Sequence, residues 1–100
     1  MALKIDPEGA ETRRLLNLAE LDPKSTRVLE VGCGDGRLTW RYALQAKHVT
    51  GIDLHQDDLR VALLDRPNDL EFRVQLARAD ALRLPFRERS FDLAIFAWSF

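Results

Sequence analysis

The sequence is poor in the features that mark several large protein classes. It has a single cysteine, Cys33. That excludes an internal disulfide and any cysteine-rich zinc site. No apolar run approaches the ~18 residues of a membrane span. Residues 1–10 (MALKIDPEGA) lack the long apolar centre of a secretion signal, so a cytoplasmic location is expected. Charge of one sign is missing too: fifteen basic and sixteen acidic side chains leave a net charge of −1. Neither half is a basic arm or an acidic tail, so nothing here favours nucleic acid as a partner. The chain is also short. One hundred residues set a prior of one domain with a small core, and 46% hydrophobic content argues against disorder.

What is present is a rhythm. Asp6-Pro7 reads as a helix start, and Leu15, Leu18 and Leu21 recur at helical spacing, so a leading helix is expected over 7–21. Asp22-Pro23 stops it. Arg27–Val31 is short, mostly apolar and β-branched, as in a strand buried on both faces. Residues 32–36 form a glycine loop. A helix is expected over 37–46, with Leu38, Tyr42 and Gln45 along one face. The unit then repeats, with a strand over 49–53 and a helix over Gln56–Asp65, where Asp57 and Asp58 suit the positive first turn. Residues 74–79 read as a third strand and residues 91–97 as a fourth. Alternating strands and helices predict an α/β fold, a Rossmann-like parallel sheet with flanking helices and right-handed crossovers. In such sheets ligands bind at the carboxyl ends of strands.

Three of the five glycines, Gly32, Gly34 and Gly36, alternate directly after the first buried strand. Glycine permits positive φ and close ligand approach, so this pattern favours ligand binding over a plain packing turn. The glycines do not fit the standard dinucleotide fingerprint, which counts against NAD. From Gly32 the last position of G-x-G-x-x-G/A falls on Arg37, and from Gly34 it falls on Thr39. The phosphate-loop motif fails as well. Glu30 and Asp35 flank the glycines, and carboxylates repel phosphate but suit a cationic ligand. Asp53 ends the second strand, where an acid can accept from both hydroxyls of a ribose; an ordinary helix cap is the competing reading. Asp80 ends the third, suited to an exocyclic amine or to a turn. Together these residues outline a nucleoside cleft that is not a phosphate site.

Four segments in order, E-V-G-C-G-D-G, G-I-D-L, A-D-A-L-R-L-P-F and F-D-L-A-I-F, resemble the class I S-adenosylmethionine-dependent methyltransferases. The likeness runs over about residues 28–100 and is greatest to the small-molecule, type 11-like group. It implies S-adenosylmethionine as methyl donor and a small-molecule acceptor. By the same resemblance, Glu30, Gly32, Cys33, Gly34 and Gly36 cradle the methionine part, with Glu30 helping to hold its ammonium. Asp53 binds the ribose, Leu54 packs on the adenine, Asp80 meets the adenine amine, and the Ala81 backbone N–H meets a ring nitrogen. Phe96 and Ala97 lie near the transferable methyl. The implied reaction is direct displacement at the sulfonium-bound methyl, for which no catalytic base and no metal ligand can be named. The complete family fold has seven strands in the order 3-2-1-4-5-7-6. This chain supplies about four, so it is expected to be the donor-binding N-terminal half of such a domain. Its fourth strand is then expected to present an open apolar edge with a tendency to self-associate. Half of an NAD-type oxidoreductase, or a non-catalytic adenosyl-binding module, are the alternatives.

Other residues have plainer readings. Cys33, with no base in view, is a small loop filler as well as part of the cradle. His48 and His55 belong at the surface or at a cap. Trp40 packs its helix, and Trp98 either walls the cleft or covers the sheet. Arg83, Arg87 and Arg89 form a solvated face, and Asp92 is structural.

Overall fold

The computed structural model describes residues 2–6, 21–80, 83 and 90–97, with the backbone alone for 2–6. Five strands form one sheet: β1 (Ala2–Asp6), β2 (Arg27–Val31), β3 (His48–Asp53), β4 (Val74–Arg78) and β5 (Leu93–Ala97). Their order is β1-β5-β2-β3-β4, and every pair is parallel. The four expected strands are β2 to β5. Their order, β4-β3-β2-β5, is the expected 3-2-1-4.

The apolar runs explain the sheet's centre. Val28, Leu29 and Glu30 of β2, residues 49–53 of β3 and residues 93–95 of β5 are all buried. Continuous burial of this kind marks parallel strands covered on both faces. β4 lies at the edge, and only Val74 in it is fully buried. The core gathers Val28, Val49, Val74, Leu93 and Ile95 from the strands with Tyr42, Ala43, Ala46 and Leu70. At the amino end of the sheet, Asp92 accepts from the Arg27 backbone N–H at 2.8 Å and from two guanidinium nitrogens at 3.1 Å. Its own N–H donates to the Arg27 carbonyl, so this structural aspartate aligns the starts of β2 and β5.

Two helical segments follow the central strands. α1 (Thr39–Tyr42) is a single turn that tightens into a 3₁₀ turn over Ala43–Gln45. Its buried residues are Thr39, Tyr42, Ala43 and Ala46. They sit at i, i+3, i+4 and i+7, one helical face. Of the expected face through Leu38, Tyr42 and Gln45, Tyr42 is buried and Leu38 packs partly buried against the core, whereas Gln45 is corrected: it is exposed. α2 (Gln56–Asp65) has the expected bounds, with Leu59 and Ala62 buried and Asp57 and Asp58 in its first turn.

β1 corrects a second expectation. It runs along the outer side of β5 in the register Ala2↔Leu93 to Asp6↔Ala97. The edge of β5 is therefore not open, and self-association through it has no support. Pairing supplies partners for backbone groups that an edge strand leaves bare. A five-residue segment with lysine at its centre shows no period from which that pairing can be read. Most of the leading helix expected over 7–21 lies outside the described residues. Leu21 has no regular structure and packs partly against the core. β4 ends one residue earlier than expected and β5 begins two residues later.

Candidate functional site

Parallel pairing places the carboxyl ends of β2, β3, β4 and β5 along one edge of the sheet. The residues singled out in the sequence follow from there. Val31, the end of β2, pairs with Ile52 on one side and Phe96 on the other. The chain then turns through the glycine loop. Gly32, Gly34 and Gly36 have φ of 80°, 56° and 87°, in the left-handed region that disfavours other residues. Gly36 has a second constraint. A Cβ there would run into the Trp40 indole, which lies over it.

The loop is held from β3. The Ile52 carbonyl accepts from the N–H groups of both Gly32 (2.8 Å) and Cys33 (3.1 Å). Asp53, 6% exposed, accepts from the Gly34 N–H at 2.8 Å through one oxygen and from the His55 N–H at 2.9 Å through the other. The Asp53 carbonyl accepts from Ala79 N–H just beyond β4. One residue thus links the glycine loop, the start of α2 and the third strand end. Sequence reasoning gave Asp53 a ribose or a cap. The structure shows the buried carboxylate bracing the loop.

Gly51 was not singled out in the sequence, and it matters. A Cβ at this position would stand 2.9 Å from Leu76 Cδ2 and 3.0 Å from Cys33 Cβ and Sγ. Gly51 makes the space that Cys33 fills. Burial, with Glu30 and Asp53 close by, pushes the Cys33 thiol far up, so it stays neutral. A neutral, buried thiol is a filler and not a nucleophile.

Below the loop lies the most unusual group of the described residues. Glu30 is completely buried in the middle of β2. Its Oε1 accepts from Thr39 Oγ1 at 2.9 Å and from Tyr42 OH at 2.5 Å. Its Oε2 is buried with no hydrogen-bond partner among the described residues. Burial pushes this carboxyl up to about 7, and the two hydroxyls pull against that. The sequence pointed to Glu30 but not to Thr39 or Tyr42. Their spacing of three on a predicted helix was the available signal. Burial, and after it the neighbouring Glu30, push the Tyr42 phenol well up, which keeps it a donor.

The remaining predicted residues take up places along the same edge. Leu54 follows Asp53 and is 55% exposed, a large apolar side chain facing water at a strand end. Asp80 is partly buried, and its carbonyl accepts from the Arg83 N–H. Phe96 and Ala97 end β5 and are half-buried. Asp35 lies beside the loop, its carboxylate paired with the exposed Arg37 at 3.0 Å. His55 contributes its backbone at the start of α2, while its ring is exposed. Ala81, Trp98, Arg87 and Arg89 lie outside the described residues. No cluster of three or more histidine, cysteine, aspartate or glutamate side chains suited to a metal occurs among the described residues. No helix among them is long and apolar enough to cross a membrane.

These features suit a nucleoside that carries positive charge: a cradle without room for side chains, a bare buried carboxyl oxygen, and acids at two further strand ends. The fold and site define a Rossmann-like parallel sheet with a glycine loop at the carboxyl ends of its central strands. The family model of the methyltransferase domain matches residues 28–100, and the chain belongs to that family. A probable ribosomal RNA small subunit methyltransferase A of Methanosarcina mazei is 39% identical over 75 residues, 75% of this chain and 27% of that protein. A demethylmenaquinone methyltransferase of Staphylococcus aureus is 38% identical over 74 residues, 69% of this chain and 29% of that protein. The solved structure of an S-adenosylmethionine-dependent methyltransferase from Mesorhizobium loti is 30% identical, with a TM-score of 0.68 over 88% of this chain and 40% of that one. The chain spans under a third of the length of the curated relatives it matches.

Proposed function

We propose that this chain is the donor-binding half of an S-adenosylmethionine-dependent methyltransferase. One observation carries the reading: the glycine loop, tied by its Gly34 N–H to Asp53, lies directly after a buried glutamate with one bare oxygen. A phosphate-bearing cofactor has no use for that carboxyl, whereas an ammonium does. When bound, S-adenosylmethionine supplies a sulfonium-linked methyl group for transfer to a nucleophile.

The chain's own residues bind and orient. The loop over 32–36 admits the methionine end because it has few side chains to obstruct it. Glu30 receives the ammonium. Asp53, held by two backbone N–H bonds at the end of β3, is the acceptor for the ribose hydroxyls. Leu54 presents an apolar face for the adenine, and Asp80 with Ala81 reads its polar edge. Phe96 and Ala97 border the methyl end and help keep water from it. Positioning of this kind accounts for rate without a dedicated base.

The acceptor is proposed to be a small molecule. The near-balanced charge and the absence of a basic arm support this, since nucleic-acid binding needs a positive footprint. The matched relatives bear names that include both ribosomal RNA and quinone acceptors. Calorimetry with S-adenosylhomocysteine and with NAD tests the donor reading. Binding of the adenosyl ligand alone is expected. Binding of NAD without it would overturn the proposal.

A further inference from the structure

Glu30 has an arrangement that calls for more than a holding role. Its two oxygens are unequal. Both hydroxyl donors, from Thr39 and Tyr42, converge on Oε1, while Oε2 is buried and bare among the described residues. An ionised carboxylate so placed carries charge on a buried oxygen with no donor among the described residues, a costly state. Among the described residues, the elements packed around it offer no cation to relieve this. α1 contributes the neutral Thr39 and Tyr42. β3 contributes Gly51 at the paired position and Asp53 at its end, which works against ionisation. The loop contributes the neutral Cys33, and β5 contributes Ile95. The described lysine, arginine and histidine side chains make no pair with Glu30.

We propose that Glu30 exchanges a proton for the ammonium of the adenosyl ligand, with Thr39 and Tyr42 as positioning residues that set the pH at which the exchange occurs. The proposal rests on the donor-binding reading above and deepens it. In the free protein the proton resides on Oε2. When the amino-acid end of the ligand enters, its ammonium takes that place and the proton passes to solvent, so charge and atoms balance. Ligand affinity then rises about tenfold per pH unit in the range where Glu30 is protonated, and levels off where it is ionised. The two hydroxyls favour the ionised carboxyl, so they hold this transition lower than burial alone would.

Calorimetry near pH 7 in two buffers of different ionisation enthalpy measures the protons released on binding S-adenosylhomocysteine. With the carboxyl at about 7, roughly half a proton per ligand is expected. 5′-Methylthioadenosine, an adenosyl ligand without an ammonium, should bind with no proton release. In Tyr42→Phe the affinity transition should shift to higher pH, with a larger release at neutral pH. A purely structural role for Tyr42 would lower affinity evenly and leave the transition in place. Glu30→Gln should abolish both the release and the pH dependence. Binding of S-adenosylhomocysteine without proton release overturns the exchange alone. No binding from about pH 6 to about pH 9 overturns the donor-binding reading and the exchange with it.

Discussion

Two strand–turn–helix units stand side by side in this sheet and differ sharply. The β3–α2 unit is regular. Its turn is short, its helix runs ten residues, and its outer face leaves Leu63 and Leu64 at 51% and 85% exposure. The β2–α1 unit is irregular. Its turn needs three left-handed glycines, its helix is one turn tightened into a 3₁₀ segment, and its strand buries a carboxyl. Local propensity explains the first unit. The second departs from it at each step, and every departure leaves space or charge where a ligand's methionine end is proposed to sit. Strain and buried carboxyls concentrate at functional sites, and here both fall in the unit proposed to take the methionine end.

That contrast can be broken at its stiffest point. Gly36→Ala places a Cβ against the Trp40 ring at a φ of 87°. A loss of about 2–4 kcal/mol in urea-induced unfolding is expected from strain and overpacking together. A stable variant with unchanged midpoint would show that the loop yields freely.

The buried carboxyl gives the next effect. Burial raises the Glu30 carboxyl from an ordinary 4.5 to about 7. The native state therefore binds the proton more tightly than the unfolded chain. Its contribution to stability is full below the unfolded value and falls as pH rises through the folded one. The expected loss is about 3 kcal/mol between those limits. Comparing wild type with Glu30→Gln across that range isolates it. A pH-independent difference between the two would place the carboxyl in contact with water.

Asp53→Ala should weaken S-adenosylhomocysteine binding by about 1–3 kcal/mol, because it removes both the loop brace and a charged acceptor. Calorimetry on the folded variant measures this. Unchanged affinity would remove Asp53 from the site. At the other end of the scale, Leu64→Ser on the regular unit should change stability by less than about 0.5 kcal/mol, since an 85% exposed side chain has little burial to lose. A larger loss in thermal melts would reveal a packing partner for that face.

Much of this was legible from patterns. Arg27–Val31 and Gln56–Asp65 were readable to the residue, because one is a short, mostly apolar, β-branched stretch that ends at a glycine loop and the other has acids at its start and a proline after its end. The glycine loop and the strand-end acids were visible as spacing. α1 was harder. A helix was expected through residue 46, but the segment turns on Thr39, Tyr42, Ala43 and Ala46, and a face built from alanine, threonine and tyrosine has weak amphipathic contrast. Gly51 looked like an ordinary strand residue until Cys33 and Leu76 closed on it from two sides.

The sequence by itself determined the alternation of strands and helices, the position of the glycine cradle, and the acids at the strand ends. These are local matters, fixed by backbone preference and by the period of apolar residues. Tertiary structure alone decided that Ala2–Asp6 pairs with β5, that Asp53 braces Gly34, and that Thr39 and Tyr42 meet on one oxygen of Glu30. Each of those joins residues on separate elements. Whether a carboxyl keeps its water, and which donors replace it, depends on what the packed sheet brings to it.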